Sequence, residues 1–141
     1  MSEAKLSKTV CGIINTLGGH VSRVEAAASA AGIPDLDYCL TGKESHIELK
    51  YGHSQKMPEL RPSQVRWFRD RVKAGGQPFL LCLDGDTDFV YLVRGIDACE
   101  LKGKQPISKW RDTSILEWQM GNDLLVGLRN FLSLGNNRSL F

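Results

Sequence analysis

Five consecutive apolar residues, Phe79-Leu80-Leu81-Cys82-Leu83, leave few folds open to a chain of 141 residues. A strand built from them has no polar position to turn toward water, so it reads as a central, buried one. Helical periods stand on both sides of it in the sequence. Leu6, Val10, Ile13, Ile14 and Leu17 recur at helical spacing over residues 5–17, and Gly18-Gly19 ends that run. Val65, Phe68 and Val72 form the apolar stripe of a second helix, opened by Pro62 or Ser63 and stopped near residue 74 by Gly75-Gly76. A third helix is expected to begin at Asn122 as its N-cap, to carry Leu124, Leu125, Leu128 and Leu132 inward, and to end at Gly135-Asn136-Asn137.

Alternation supplies the remaining strands. Residues 20–25 alternate as a half-buried strand does, before a small-residue stretch over 26–32 loosens the chain. Residues 35–40 and 45–51 read as a hairpin around Thr41-Gly42-Lys43-Glu44, and 89–93 follow the buried strand across a tight turn, closing the sheet with a second hairpin. Residues 52–62 are polar, contain Pro58 and Pro62, and read as a loop. The expectation is one α/β domain over residues 1–141, with a helical extension from about residue 95.

Composition narrows the function classes only modestly. The net charge of +2 is too small to argue for nucleic acid by itself, but residues 43–73 hold eight Lys or Arg against four acids. Arg66, Arg69 and Lys73 share one face of the second helix, which would either track a DNA backbone or keep the helix soluble. Cys11, Cys39, Cys82 and Cys99 show neither C-x-x-C pairing nor zinc spacing and read as reduced thiols. No apolar run is long enough to span a bilayer, and residues 1–6 lack the features of a secretory signal. The expectation is a cytoplasmic protein without a membrane partner. Asp84-Gly85-Asp86-Thr87-Asp88 has the alternating acids of a calcium loop, but Phe89 and Gly95 stand where that loop needs Gly and Glu, so it reads as a polar turn. Trp67, Trp110 and Trp118 read as core or interface residues.

The first hairpin carries the chemistry. Pairing its strands around Gly42-Lys43, so that partner numbers sum to 85, sets Asp37 opposite Glu48 and Asp35 opposite Lys50. Alternation then gathers Asp35, Asp37, Glu48 and Lys50 on one face and turns Leu36, Ile47 and Leu49 to the other, toward the core. Asp37 is either a second acid of that face or a solvated edge residue, and His46 alternates onto the same side as a surface histidine. Carboxylates held this close repel one another unless a cation sits among them. A hard divalent ion such as Mg²⁺ suits Asp35, Glu48 and the backbone carbonyl of Leu49, with water and a substrate phosphate completing its shell. Lys50 could orient the attacking water or stabilise developing charge. Phosphodiester hydrolysis is the reaction this arrangement would serve.

Gly32-Ile33-Pro34-Asp35, twelve intervening residues and Glu48-Leu49-Lys50 resemble the PD…E-x-K signature of the PD-(D/E)XK nucleases. The following Leu60-Arg61-Pro62-Ser63-Gln64-Val65-Arg66-Trp67, then residues 74–81, resemble the VRR-NUC and Holliday-junction-resolvase branches in order and spacing. The resemblance covers about residues 21–83. It implies a restriction-endonuclease-like core, with a mixed central β-sheet flanked by helices. It implies a Mg²⁺-dependent endonuclease, with Mn²⁺ able to substitute, acting on DNA of branched or junction structure or nicking it. The setting implied is phage or mobile-element replication or repair, in the host cytoplasm if phage-encoded. Asp35 and Glu48 would be metal ligands, Lys50 the catalytic lysine, and Gln64 a helix residue pointing back into the site. Such nucleases also draw an acid from an N-terminal element. That acid is read as Glu25, since the helix over 5–17 carries none. A homodimer contacting through the apolar segment 115–134 would place two sites on one junction. The competing expectation is a module on the same fold that binds DNA or protein without cutting.

Overall fold

The computed structural model describes residues 2–133; the expected stop at Gly135-Asn136-Asn137 lies outside them. Five helices, α1 (Glu3–Thr16), α2 (Ala26–Ala30), α3 (Pro62–Lys73), α4 (Ile107–Thr113) and α5 (Asn122–Ser133), surround a six-stranded sheet. The sheet contains β1 (His20–Arg23), β2 (Leu36–Leu40), β3 (Lys43–Gly52), β5 (Phe79–Asp84), β6 (Phe89–Arg94) and β8 (Leu116–Gln119), hydrogen-bonded in that order. Two short strands, β4 (Glu59–Leu60) and β7 (Gly103–Lys104), form a separate antiparallel ribbon, and a 3-10 helix spans Gly95–Leu101. Every pairing in the large sheet is antiparallel except β3 with β5, which are joined through α3. Parallel neighbours need such a crossover, and the helix covers the face it crosses.

β5 sits inside the sheet with all six residues buried, as its unbroken apolar run requires. Its odd-numbered positions, Phe79, Leu81 and Leu83, join Leu36, Ile47, Leu49 and the inward faces of α1 and α5 in the larger core. Its even-numbered positions, Leu80 and Cys82, meet Phe68 of α3, Leu101 and Trp110 in a second core on the opposite face. Each fully buried Leu or Phe here contributes about 2 kcal/mol relative to an exposed one.

Several expectations need correction. Residues 26–30 within the small-residue stretch form the short helix α2, and the polar loop over 52–62 contains β4. The β5–β6 hairpin does not close the sheet, because β8 pairs outside β6, setting Val90 opposite Trp118 and Leu92 opposite Leu116. The C-terminal third, besides the 3-10 helix, α4 and α5, therefore contributes one strand to the sheet. Its short, half-exposed strand has too weak an alternation to be recognised without its partner. Within the segment expected to form a dimer contact, Ile115, Leu116, Trp118 and Met120 pack against the chain's own core, and Leu124, Leu128, Phe131 and Leu132 are buried in it. Leu125 and Val126 stay exposed. No helix among the described residues is long and apolar enough to cross a membrane.

Gly32 marks a close approach between the segment entering β2 and the start of α3. Its φ is +96°, and a Cβ placed there would lie 2.3 Å from the carbonyl oxygen of Ser63, in the first turn of α3. Only glycine lets the segment entering β2 approach the helix this closely. Gly32→Ala should lower stability by about 3 kcal/mol or more, combining backbone strain with displacement of α3. Urea unfolding would show it as a lower midpoint, and an unchanged midpoint would mean that α3 gives way freely.

Candidate active site

The hairpin turn is tighter than its composition suggested. Thr41 and Gly42 have φ of 51° and 78°, so both central residues are left-handed, as a two-residue type I′ connection requires, and Leu40 pairs with Lys43. Partner numbers consequently sum to 83: Leu36 faces Ile47 and Asp37 faces His46. The shift from the expected register is two residues. Since side chains alternate with period two, it exchanges partners without exchanging faces. Asp37 is moved away from Glu48 and stands 4.0 Å from His46, with half of its side chain exposed, so it is a solvated residue of an inner strand. His46 itself packs edge-on against Trp67 of α3, and its pKa is lowered, first by burial.

Asp35 and Glu48 are locked together through the backbone. The N–H of Asp35 donates to Glu48 Oε1 at 3.2 Å, and the N–H of Leu49 donates to Asp35 Oδ2 at 2.8 Å. The second bond also locates the Leu49 carbonyl. In an extended strand the N–H and C=O of one residue point to the same edge. The Leu49 carbonyl therefore looks toward Asp35, past the last β2–β3 pair at Leu36 and Ile47. Two carboxylates and a main-chain oxygen converge where the strand pairing stops.

α3 supplies the next group. Gln64 occupies the third position of the helix, where its Oε1 accepts from the N–H of Arg61 at 2.9 Å, a helix-start bond. The same Oε1 accepts from Lys50 Nζ at 3.2 Å, while Gln64 Nε2 donates to Glu48 Oε2 at 2.8 Å. Lys50 Nζ lies 3.1 Å from Glu48 Oε2. Glu48 and Gln64 are each only 2 % exposed, so this is a buried, mutually oriented network. Three donors aim at one carboxyl group, an arrangement suited to its ionised form. Burial nevertheless dominates and pushes the Glu48 pKa up to about 8, with Lys50 opposing and Asp35 and Glu3 adding to the rise. A cation near Glu48 would reverse that balance.

Glu3 is the residue that pattern reading missed. It starts α1, two residues before the helical period becomes visible, with Ser2 capping the helix through the N–H of Lys5. Glu3 lines a cleft with Asp35, Leu49, Arg23 and Val24, and it lines the neighbouring cavity with Lys50. Its carboxyl pKa is raised by desolvation and then by Asp35, with Lys50 and Lys56 pulling the other way. Glu3 and Glu25 are both exposed, but the cleft wall includes Glu3 and Val24 and not Glu25. The acid that stands beside Asp35 from an N-terminal element is therefore Glu3, on the first helix, rather than Glu25. A Ser-Glu pair just ahead of the apolar period was the available signal, as an N-cap followed by a first-turn acid.

Arg66, Arg69 and Lys73 are exposed on α3, and Arg69 lies 3.6 Å from Asp70. Asp84 explains the acidic turn: its carboxylate accepts from the N–H of Asp86 and the hydroxyl of Thr87, both at 2.9 Å, while Asp86 accepts from the N–H of Ser54 at 2.7 Å. These acids hold the turn together.

Among the described residues no three His, Cys, Asp or Glu side chains are drawn together closely enough to hold a metal ion by themselves. The donor set of Asp35, Glu48 and the Leu49 carbonyl still suits Mg²⁺, which commonly takes one or two carboxylates and leaves the rest of its shell to water and phosphate. Burial raises the Glu48 pKa in spite of Lys50, so a divalent cation beside it would favour the carboxylate form.

Neither a protein-family model nor a curated protein matches the chain. Its structure is similar to that of Hjc, a Holliday junction resolvase from the archaeal hyperthermophile Archaeoglobus fulgidus, with a TM-score of 0.56 at 13% sequence identity. The similarity covers 89% of this chain and 98% of Hjc. The fold is the restriction-endonuclease-like one, a mixed sheet flanked by helices.

Proposed function

We propose that this chain is a Mg²⁺-dependent endodeoxyribonuclease, with Mn²⁺ able to substitute, that hydrolyses phosphodiester bonds in branched or junction DNA. The observation that carries the reading is the buried Glu48–Gln64–Lys50 network set against Asp35 and Glu3 where the β2–β3 pairing ends. The fold shared with Hjc supports it, as does the PD…E-x-K order of the residues involved. Phage or mobile-element replication or repair, in the VRR-NUC manner, is the setting this reading suggests.

Asp35, Glu48 and the Leu49 carbonyl would hold the ion, with Glu3 completing the acidic wall. When bound, the ion would polarise the phosphoryl oxygen and lower the pKa of a water. The chain's own residues do the rest. Gln64 and Glu48 fix the Lys50 ammonium at 3.2 and 3.1 Å, so its remaining donor can meet the negative charge that grows on the phosphate. Gln64 also ties that geometry to α3, whose Arg66, Arg69 and Lys73 would lie along duplex flanking the cut. Two cuts across a junction need two such sites, so a homodimer is part of the proposal, and a solution mass measures it.

The test is cleavage of linear, nicked, flapped and four-way DNA in Mg²⁺ or Mn²⁺, with Lys50→Ala and Glu48→Ala as controls. Cutting that needs no metal, or that survives both substitutions, overturns the assignment. One observation favours the rival reading, a module that binds without cutting: no three side chains gather into a ready metal cage among the described residues. Salt-dependent DNA binding with no turnover under any metal would establish that reading instead.

A further inference from the structure

On the side of the site away from Asp35, a cavity of about 700 Å³ runs from Glu3 and Lys50 to the β4–β7 ribbon. Its far wall carries Lys56, Met57, Glu59 and Lys104. Lys56 ends a turn closed by the bridge between His53 and Lys56, and Lys104 stands on β7 opposite Glu59. Both lysines are exposed, and Met57 is 47% exposed beside them. An isolated surface lysine implies nothing. Here two of them share one open cavity with a third, Lys50, that belongs to the site, and the charge of Lys56 reaches Glu3.

The basic residues of α3 are placed differently. Arg69 and Lys73 line a separate, mostly apolar groove with Val72 and Ile96. Lys73 is nine residues beyond Gln64, roughly 13 Å along the helix axis. Neither Arg69 nor Lys73 lines the cavity between Lys50 and the ribbon.

We propose that the β4–β7 ribbon is a rail for the DNA strand being cut, with Lys56 and Lys104 each pairing with a backbone phosphate and Met57 packing against a sugar or an unstacked base. This rests on the nuclease reading above and adds to it the path of the substrate. The ribbon is held by its own pairing and by the bridge from Leu60 to Lys102. The ribbon therefore frames the backbone that carries Lys104, and the bridged His53–Lys56 turn beside it frames that of Lys56. Glu59, opposite Lys104, is the opposing charge on this wall and should weaken the grip.

The test is binding of a labelled flapped duplex by fluorescence anisotropy across a salt series, without divalent cation. The Lys56→Ala, Lys104→Ala double variant is expected to flatten the plot of log affinity against log salt by about two, close to 0.9 for each phosphate that is no longer neutralised. The Lys56→Arg, Lys104→Arg variant should restore the slope, separating the missing charge from misfolding. Glu59→Gln should tighten binding severalfold at low salt, and Arg129→Ala on α5 should leave the slope as in the wild type. An unchanged slope in the double alanine variant overturns the rail even if the protein cuts DNA. A flattened slope in a protein that never cuts supports the rail and removes the nuclease reading alone. Failure of the wild-type protein to bind overturns the rail outright.

Discussion

Glu48→Ala should reduce metal-dependent cleavage by roughly a thousandfold or more, which is about 4 kcal/mol of transition-state stabilisation. The size of the effect follows from how many groups Glu48 organises. Its oxygens take the N–H of Asp35, the amide of Gln64 and the ammonium of Lys50. Losing the carboxylate would remove a proposed metal ligand and release the lysine together. Lys50→Ala should cost about a hundredfold to a thousandfold, since the ligands remain and only the positioned charge is gone. Gln64→Ala should cost about tenfold, because Lys50 keeps its ion pair with Glu48. The two candidate N-terminal acids, Glu3 and Glu25, should also differ. Glu3→Gln should lower cleavage by about tenfold to a hundredfold, whereas Glu25→Gln should leave it within about twofold. Single-turnover rates at saturating DNA would separate these outcomes. The proposed site fails if Glu48→Ala cleaves within about tenfold of wild type, or if Glu25 proves the more important acid.

The second large effect is a fall in stability with pH when no divalent ion is present. The folded-state pKa of Glu48 is about 8, against an ordinary value of 4.5. Between those values the folded protein holds a proton that the unfolded chain has released. Glu48 therefore contributes stability that is full below about pH 4.5 and is lost as pH rises through about 8. The loss could reach the order of 5 kcal/mol, a large share of a domain's total stability. Glu3 is shifted in the same direction. His46, with its pKa lowered, acts oppositely: its contribution is present above its unfolded value of 6.5 and is lost as pH falls through the folded value. Urea unfolding in chelator from about pH 5 to about pH 8.5 should thus show a declining midpoint, and Glu48→Gln should flatten most of the decline. Added Mg²⁺ should stabilise the protein more at about pH 8 than at about pH 5, because the ion competes with the proton for the same carboxylate. A midpoint independent of pH in the wild type would show that Glu48 is ionised without a cation.

Much of this site is legible from local pattern. Leu36, Ile47 and Leu49 must face the core, and that alone puts Asp35, Glu48 and Lys50 on the other side of the strands. The register shift of two residues leaves that inference intact, since faces repeat every second residue. Its consequence falls on Asp37, which faces His46 and not Glu48. The turn escapes a reading of composition because Thr41 adopts a left-handed backbone that its side chain disfavours, and nothing in its own chemistry announces this. Glu3 is hidden because it precedes the first apolar residue of α1, and its value lies in what the helix start is packed beside.

Periodicity along the chain was enough to settle most of the core, Leu125 excepted, as well as which strand is central and which side of the first hairpin is polar. Each of these follows from a repeat of two or 3.6 residues and from the cost of leaving apolar surface in water. Packing in three dimensions was needed to make β8, rather than the hairpin of β5 and β6, the edge of the sheet. It was needed also to bring a third acid from the start of α1, and to let Gln64 reach across from α3 to orient Glu48 and Lys50. These are contacts between segments far apart in the chain. They depend on how the crossover helix and the N-terminal helix pack on opposite faces of one sheet, and no local pattern records that packing.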